Sequence, residues 1–147
     1  MTKDVLVKIK GLQFAGEEDA DATEVITSGT YYMKNGKHYI LYDEVMEDST
    51  EVTKNVIKIW ENNMDVTRKG PASVHMMFEK GKKNVSYYYT PYGNLLIGID
   101  AKDVQVEETE YDINIQVKYG LEINYEHMAD CHITVNVKSK EARNFKI

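Results

Sequence analysis

The sequence predicts an all-β fold, an antiparallel meander of about 8–10 strands that curls and closes into a barrel. Apolar and polar residues alternate over most of the chain, as they do in strands that bury one face. Turn signals separate these stretches at short intervals. The chain also has eleven tyrosines against three phenylalanines and one tryptophan. Tyrosine suits strands that are buried on one face and wet on the other.

Length and charge predict one acidic domain. The 147 residues fit a single domain over the whole chain, 1–147, with a frayed basic tail from about Ser139. The formal net charge of −6 argues against general nucleic-acid binding, which depends on basic residues that neutralise phosphates. No apolar run approaches the roughly 18 residues that a membrane helix requires. We therefore expect neither a nucleic-acid partner nor a membrane.

The cysteine content and the first ten residues indicate a cytoplasmic location. The single cysteine, Cys131, rules out an internal disulfide and fits a reducing compartment. Residues 1–10 alternate charged and apolar side chains, so they lack the continuous apolar core of a signal peptide. Cys131 shares its predicted strand face with Ile133 and Val135, which favours a buried, inert thiol over a nucleophile.

The first half of the chain predicts five strands. In chain order they are 3–16, 23–34, 37–46, 52–61 and 64–68. An acidic loop at 17–21 follows the first strand, and Gly29 predicts a bend in the second. Asn35-Gly36 predicts a tight hairpin turn, since both residues tolerate positive φ. We expect a second tight turn at Asn62-Asn63.

Segment 52–61 fits two interpretations. Val52, Val56 and Ile59 have helical spacing, which would place them on one face of a helix. The segment is also rich in β-branched residues, which favour a strand. We predict a strand, because the tight turn that follows then leads directly into the next one.

The second half predicts five more strands, at 72–80, 85–90, 95–106, 113–125 and 131–138. Its clearest hairpin lies within 82–100, where Thr90-Pro91-Tyr92-Gly93 fits a turn with proline at the second position and glycine at the fourth. Gly98 predicts a bend in the eighth strand. Tyr87 and Tyr89 are expected to face one way and Tyr88 the other.

Three short motifs carry a resemblance to a known family. They are Y-D-E at 42–44, R-K-G at 68–70 and Y-Y-T-P-Y-G at 88–93. In this order and spacing, with β patterning between them, the chain resembles the YwiB-like family of bacterial proteins from about residue 5 to 137. The resemblance implies a calycin-like (lipocalin-like) β-barrel. It implies no reaction, because that family has no assigned function.

A meander brings residues that are distant in sequence to one rim. Odd-numbered strands run one way and even-numbered strands the other, so the C-terminal ends of the odd strands gather together. Five residues near those ends are the predicted ligand-binding residues: Tyr42, Glu44, Arg68, Tyr88 and Thr90. Arg68 could bind a carboxylate or phosphate with its guanidinium fork. Alternatively, Glu44 and Arg68 form an ion pair that closes the barrel end.

The sequence predicts no metal, no cofactor and no catalytic residue. His38, His75, His127 and His132 form no metal-binding motif, and His127 with Cys131 would supply two of the four ligands of a structural zinc site. No nucleophile motif and no phosphate-binding loop is present.

Three functions remain open at the level of the sequence. The first is a binding module that holds a small anionic or amphipathic molecule at one barrel mouth. The second is a non-enzymatic interaction protein that acts through its outer surface or as a homodimer. The third is an enzyme that uses Glu44, His75 or Tyr88 around Arg68. We prefer the binding module, and the enzymatic status stays uncertain with a preference against activity.

Overall fold

The computed structural model describes residues 3–11, 24–45 and 50–140. In these ranges the chain forms strands and turns, so the all-β prediction is confirmed. The strands are β1 (Asp4–Lys10), β2 (Glu24–Lys34), β3 (Lys37–Val45), β4 (Val52–Trp60), β5 (Asn63–Lys69), β6 (Ser73–Glu79), β7 (Lys83–Thr90), β8 (Gly93–Glu108), β9 (Asp112–Ile123) and β10 (Glu126–Ser139). Within the same residues, no helix is long and apolar enough to cross a bilayer.

The predicted meander closes into a barrel. Each strand pairs with its neighbours in sequence, and β1 also pairs with β10, always antiparallel. The order around the barrel is therefore β1-β10-β9-β8-β7-β6-β5-β4-β3-β2. Four strands separate β3 from β8 on either side (β4 to β7 one way; β2, β1, β10 and β9 the other). These two strands thus lie on opposite walls.

The hairpin turns follow local chemistry, with one correction. Asn35 and Gly36 have φ values of 52° and 75° and join β2 to β3, as predicted. The turn from β4 to β5 is Glu61-Asn62, and the prediction of Asn62-Asn63 was wrong by one residue. Asn63 already pairs with the last residue of β4. Glu61 instead takes the positive φ of 52° that the tight turn requires.

Segment 52–60 is a strand because its burial alternates with a period of two. Thr53, Asn55, Ile57 and Ile59 are buried, while Val52 is 43% exposed. The helical spacing of the valines was misleading, since β-branched side chains stabilise the extended backbone here.

The irregularity in β8 lies at Lys102 and not at Gly98, where a bend was predicted. Gly98 stays in regular register with β7 and β9. The register with β9 shifts between Ala101 and Asp103, so Lys102 is the extra residue of a bulge. The β7–β8 ladder ends at Asp100, just before this bulge. The remainder of β8 continues with β9 alone toward one end of the barrel.

Both outer strands are described over only part of their predicted surroundings. β1 runs to Lys10, and residues 12–16 of the predicted first strand and residue 23 of the second lie outside the described residues. β10 includes Ser139, which is fully buried, so residue 139 does not belong to a frayed tail. Lys140 also donates a hydrogen bond from Nζ to Ser28 Oγ at 2.7 Å. The acidic loop 17–21, residue 46 of the predicted third strand and residues 141–147 lie outside the described residues.

A hydrophobic core occupies the barrel interior. Phe78 and Tyr119 are both essentially inaccessible to solvent, and their rings meet edge to face with centroids 5.0 Å apart. Buried valine and isoleucine residues from the surrounding strands belong to the same core. Polar side chains lie at the rims of the barrel and on its outer wall.

Candidate functional site

One row of inward-facing residues crosses six strands near the end of the barrel where β3, β5 and β7 finish. We call this the Arg68 end. Residues directly opposite each other in neighbouring strands share one face, and the row is buried at several points. Its members, from β3 to β8, are Tyr42, Asn55, Arg68, Val74, Tyr88 and Leu95. The meander thus places Tyr42, Arg68 and Tyr88 at one rim.

Glu44 and Arg68 form an ion pair at this rim. Arg68 Nη1 lies 3.4 Å from Glu44 Oε1, and both side chains are mostly buried, at 18% and 25% exposure. The ion pair considered as an alternative from the sequence is therefore present. Its length exceeds the roughly 2.7–2.9 Å of a strong charge-assisted hydrogen bond.

Asn55 is a member of this cluster that the sequence analysis missed. Its Nδ2 donates to Glu44 Oε1 at 2.9 Å, so the glutamate is held from both β4 and β5. Among the described residues, Asn55 Oδ1 has no hydrogen-bond partner although it is buried. A signal did exist in the sequence, because Asn55 is a polar residue on the same alternating face as Ile57 and Ile59.

Tyr42 stays neutral at the base of the cluster. Burial raises the pKa of its phenol, the Glu44 carboxylate raises that pKa further, and the Arg68 guanidinium opposes them in part. A buried neutral phenol can donate one hydrogen bond without the cost of a buried charge.

Thr90 makes its side-chain hydrogen bonds within the β7–β8 turn. Its Oγ1 donates to the carbonyl of Gly93 at 2.6 Å and accepts from the amide of Tyr92 at 3.2 Å. The hydroxyl is therefore engaged by its own hairpin.

Steric crowding explains why a glycine, Gly70, ends the R-K-G motif. A Cβ atom on Gly70 would come within 3.0 Å of Thr53 Cβ and 3.1 Å of Thr53 Cα. Thr53 is buried and pairs with Glu44 across the sheet. Gly70 thus lets the chain after β5 pass closely over the rim that carries the ion pair.

A groove of about 350 Å³ opens on the wall beside this rim, and we call it the tyrosine groove. β5 contributes residues 67–69, β6 contributes 73–75, and β7 contributes Ser86, Tyr87 and Tyr89. The two tyrosine rings are each 52% exposed, with centroids 6.0 Å apart. Arg68 belongs to both the groove lining and the inward-facing row, so the groove lies beside the predicted ligand-binding cluster, while the neighbouring Lys69 faces outward.

The groove lies where two neighbouring strands separate. β6 and β7 pair at only two positions, Ser73 with Tyr89 and the adjacent pair. Beyond them, side chains replace the backbone ladder. Ser86 Oγ donates to the carbonyl of His75, and Asn84 Nδ2 lies 3.4 Å from that of Met77. These short polar side chains hold the seam together and leave a depression on its outer face.

The residues named for an enzyme do not meet in one space. Glu44 and Tyr88 point to the inside of the barrel at the Arg68 end, whereas His75 lies on the outer face of β6. Across residues 3–11, 24–45 and 50–140, no group of three or more histidine, cysteine, aspartate and glutamate side chains could hold a metal ion.

A second polar cluster lies at the opposite end, which we call the His38 end. His38 Nδ1 is 2.7 Å from Tyr31 Oη, and His38 Nε2 is 3.2 Å from Glu108 Oε2. Burial raises the pKa of Tyr31, and the Glu108 carboxylate raises it further. Because β3 and β8 are on opposite walls, the histidine ties the two walls together across the barrel end.

Comparisons with known proteins agree on fold and family. Residues 7–135 match a family described as a domain of unknown function (DUF1934). The chain is 29% identical over 122 residues to a Bacillus subtilis (strain 168) protein described as the uncharacterized beta-barrel protein YwiB. This match covers 80% of the chain and 84% of the relative. The crystal structure of ywiB protein from Bacillus subtilis superposes with a TM-score of 0.76 and 22% identity, covering 93% of this chain and 92% of that one.

Proposed function

Since this chain belongs to the family described as a domain of unknown function (DUF1934), we propose a function from its geometry: it binds a small amphipathic anion in the tyrosine groove. The family membership confirms the YwiB-like resemblance expected from the three motifs. It carries no activity with it, so the argument rests on the lining of the groove.

The observation that carries the proposal is the charge of that lining. The chain has 24 acidic against 18 basic residues, yet among the described residues the groove lining includes Arg68 and Lys69 and no aspartate or glutamate. A cationic side chain on an acidic protein attracts anions selectively. The Arg68 charge is paired with Glu44 inside the barrel, so the outward-facing Lys69 presents its charge to the ligand.

The walls of the groove suit an apolar body. Tyr87 and Tyr89 present ring surface, and Val74 contributes to the lining. Small-molecule sites are mostly apolar with a few placed polar groups, and they occupy roughly 300–1,000 Å³. The volume of about 350 Å³ suits a ligand of one ring or a short chain.

In this proposal the predicted site residues support the groove from inside the barrel. Lys69, whose side chain faces outward, contacts the anion. Glu44 and Tyr42 hold the Arg68 guanidinium inside the rim, which fixes the strand end that carries Lys69. Tyr88 lies in the same inward-facing row, beyond Val74.

Calorimetric titration with phenylacetate and octanoate tests the proposal. We expect saturable binding of at least one of them to the wild-type protein. Lys69→Met should weaken that binding at least tenfold, as expected for the loss of a charged hydrogen bond of about 1.5–3 kcal/mol. Lys54→Met is the matched control, because Lys54 is an exposed lysine of β4 outside the groove. Equal loss in both variants, or no binding of either anion, would refute the proposal.

A second candidate is self-association through β7. Val85, Tyr87 and Tyr89 form an exposed apolar stripe at 50%, 52% and 52% exposure, and Tyr92 in the turn is 99% exposed. Exposed aromatic patches often mark interfaces. In this proposal a second copy of the chain covers the stripe. Sedimentation velocity should then show a dimer that Tyr87→Lys dissociates, and a monomer at all concentrations would exclude it.

A further inference from the structure

Asp65 is an outward-facing residue that is nevertheless buried. It lies opposite Lys58 and Met77 on the outer face of the sheet, but only 8% of its surface is exposed. Its carboxylate Oδ1 is 2.8 Å from His75 Nε2. A carboxylate that is largely removed from water needs such a partner.

This contact fixes the hydrogen-bonding direction of the imidazole. An ionised carboxylate only accepts hydrogen bonds, so His75 Nε2 carries the proton that lies between them. In neutral imidazole the other nitrogen, Nδ1, is then an acceptor. The backbone of His75 is also fixed, because Ser86 donates a hydrogen bond to its carbonyl. His75 is thereby held as an oriented acceptor, and it lines the tyrosine groove.

The acceptor His75 and the cation Lys69 lie at two different levels of the groove, that is, at two different positions along β5. His75 lies opposite Thr67, two residues before Lys69 along β5. Two residues of a strand span roughly 7 Å. The rings of Tyr87 and Tyr89 line the groove on its β7 side, next to both of these positions.

We propose that the ligand is an aromatic carboxylate with a hydroxyl at the far end of its ring, and that the Asp65–His75 pair selects this hydroxyl. The carboxylate contacts Lys69, the ring lies on the tyrosines, and the hydroxyl donates to His75 Nδ1. This inference rests on the proposed function and narrows its ligand class. The para hydroxyl and the carboxylate of a hydroxyphenylacetate lie at opposite ends of one ring, which matches the spacing of the two levels.

Three probes separate the hydrogen-bond roles: para-hydroxyphenylacetate, para-methoxyphenylacetate and phenylacetate. Only the first can donate to an acceptor. We expect the hydroxyl compound to bind about two- to tenfold more tightly than the other two. Long-range ¹H–¹⁵N spectra should show the proton of His75 on Nε2.

Two variants test the role of the pair. Asparagine at position 65 can donate or accept, so Asp65→Asn no longer fixes the proton, and the preference for hydroxyl over methoxy should shrink. His75→Gln should abolish that preference while phenylacetate still binds. Circular dichroism confirms the fold of each variant.

The outcomes separate this inference from the proposed function. Equal binding of all three probes by the wild-type protein, with loss in Lys69→Met, would overturn the inference and leave the proposed function intact. The same holds if the proton of His75 is found on Nδ1. Failure of all three probes to bind would overturn both.

Discussion

The two ends of the barrel use polar residues differently. At the His38 end, His38 contacts both Tyr31 and Glu108 and links opposite walls. At the Arg68 end, Glu44 and Arg68 also contact each other inside the barrel, and the tyrosine groove opens on the outer face beside them. The comparison teaches that a polar cluster can close one barrel end, while at the other end it supports a wall that carries a groove.

The difference originates in the strands that form each end. Beyond the bulge at Lys102, β8 continues to Glu108 and brings its carboxylate to His38 on the opposite wall. At the Arg68 end, β6 and β7 share only two paired positions before they separate. His38 and Glu108 thus link opposite walls at one end, and the other end lies beside the interrupted β6–β7 ladder.

The largest expected effect on stability comes from removing His38, which links Tyr31 and Glu108 across the barrel end. His38→Ala deletes a buried ring and leaves the Tyr31 hydroxyl without its partner, so we expect a loss of about 2–4 kcal/mol in the free energy of unfolding. Urea denaturation measures it. His127→Ala is the control, because that side chain is 57% exposed, and it should change stability by less than about 0.5 kcal/mol. Equal effects in the two variants would contradict the role of His38.

The second prediction compares the two buried phenols at alkaline pH. The pKa of Tyr42 and of Tyr31 is raised in the folded protein, so each group holds its proton longer when folded than when unfolded. Their contribution is therefore complete below the ordinary tyrosine pKa of about 10 and is lost as pH rises above it. One such group can remove up to about 1.4 kcal/mol per pH unit.

Urea denaturation between about pH 9 and pH 11 checks this prediction. Tyr42→Phe should flatten the alkaline loss more than Tyr31→Phe, because Tyr42 is the more deeply buried phenol and its pKa shift is the larger. An unchanged slope in Tyr42→Phe would show that its phenol ionises as freely in the folded state as in the unfolded one.

The third prediction concerns the stability of the Arg68 end. Arg68→Met should lower the free energy of unfolding by only about 1 kcal/mol, because the 3.4 Å contact is long for a charge-assisted hydrogen bond and methionine keeps the apolar part of the side chain. Glu44 also keeps its hydrogen bond from Asn55. Lys69→Met, at the exposed position beside it, should change stability by less than about 0.5 kcal/mol and lose ligand affinity at least tenfold, so stability and binding depend on different residues at this end. A loss of stability in Arg68→Met as large as that of His38→Ala would make Arg68 a closure residue.

The smallest effect should come from Glu108→Gln. Its side chain is 53% exposed and the amide oxygen can still accept from His38, so we expect a loss below about 1 kcal/mol. Glu107→Gln, on the outward face of the same strand, is the matched control and should be neutral. Thermal denaturation of both variants at low and high salt separates the charge contribution from the hydrogen bond.

The sequence predicted the fold well because its signals are local. Strand alternation and the Asn35-Gly36 turn are visible within a few residues. Counting antiparallel strands also placed Glu44 and Arg68 at one rim, where they lie in contact. Membership of the calycin-like class stays a prediction, as does the role of the five rim residues in ligand binding.

What escaped prediction depends on contacts between distant segments. The pairing of His38 with Glu108 requires the bulge at Lys102 and the opposition of two walls, and neither has a short-range signature. The groove depends on the side chains of Ser86 and Asn84, which replace a backbone ladder between β6 and β7. Hydrophobic periodicity cannot reveal such side-chain hydrogen bonds. Asn55 was missed because it is a single polar residue on a strand face that otherwise carries the apolar residues Ile57 and Ile59.

A map of amide chemical-shift changes during titration with phenylacetate tests the contrast between the ends most directly. The account predicts that the changes concentrate in 67–69, 73–75 and 86–89, and that Tyr31, His38 and Glu108 stay unaffected. Changes centred on the His38 end, or an absence of changes at every amide up to saturating concentrations of the anion, would contradict it.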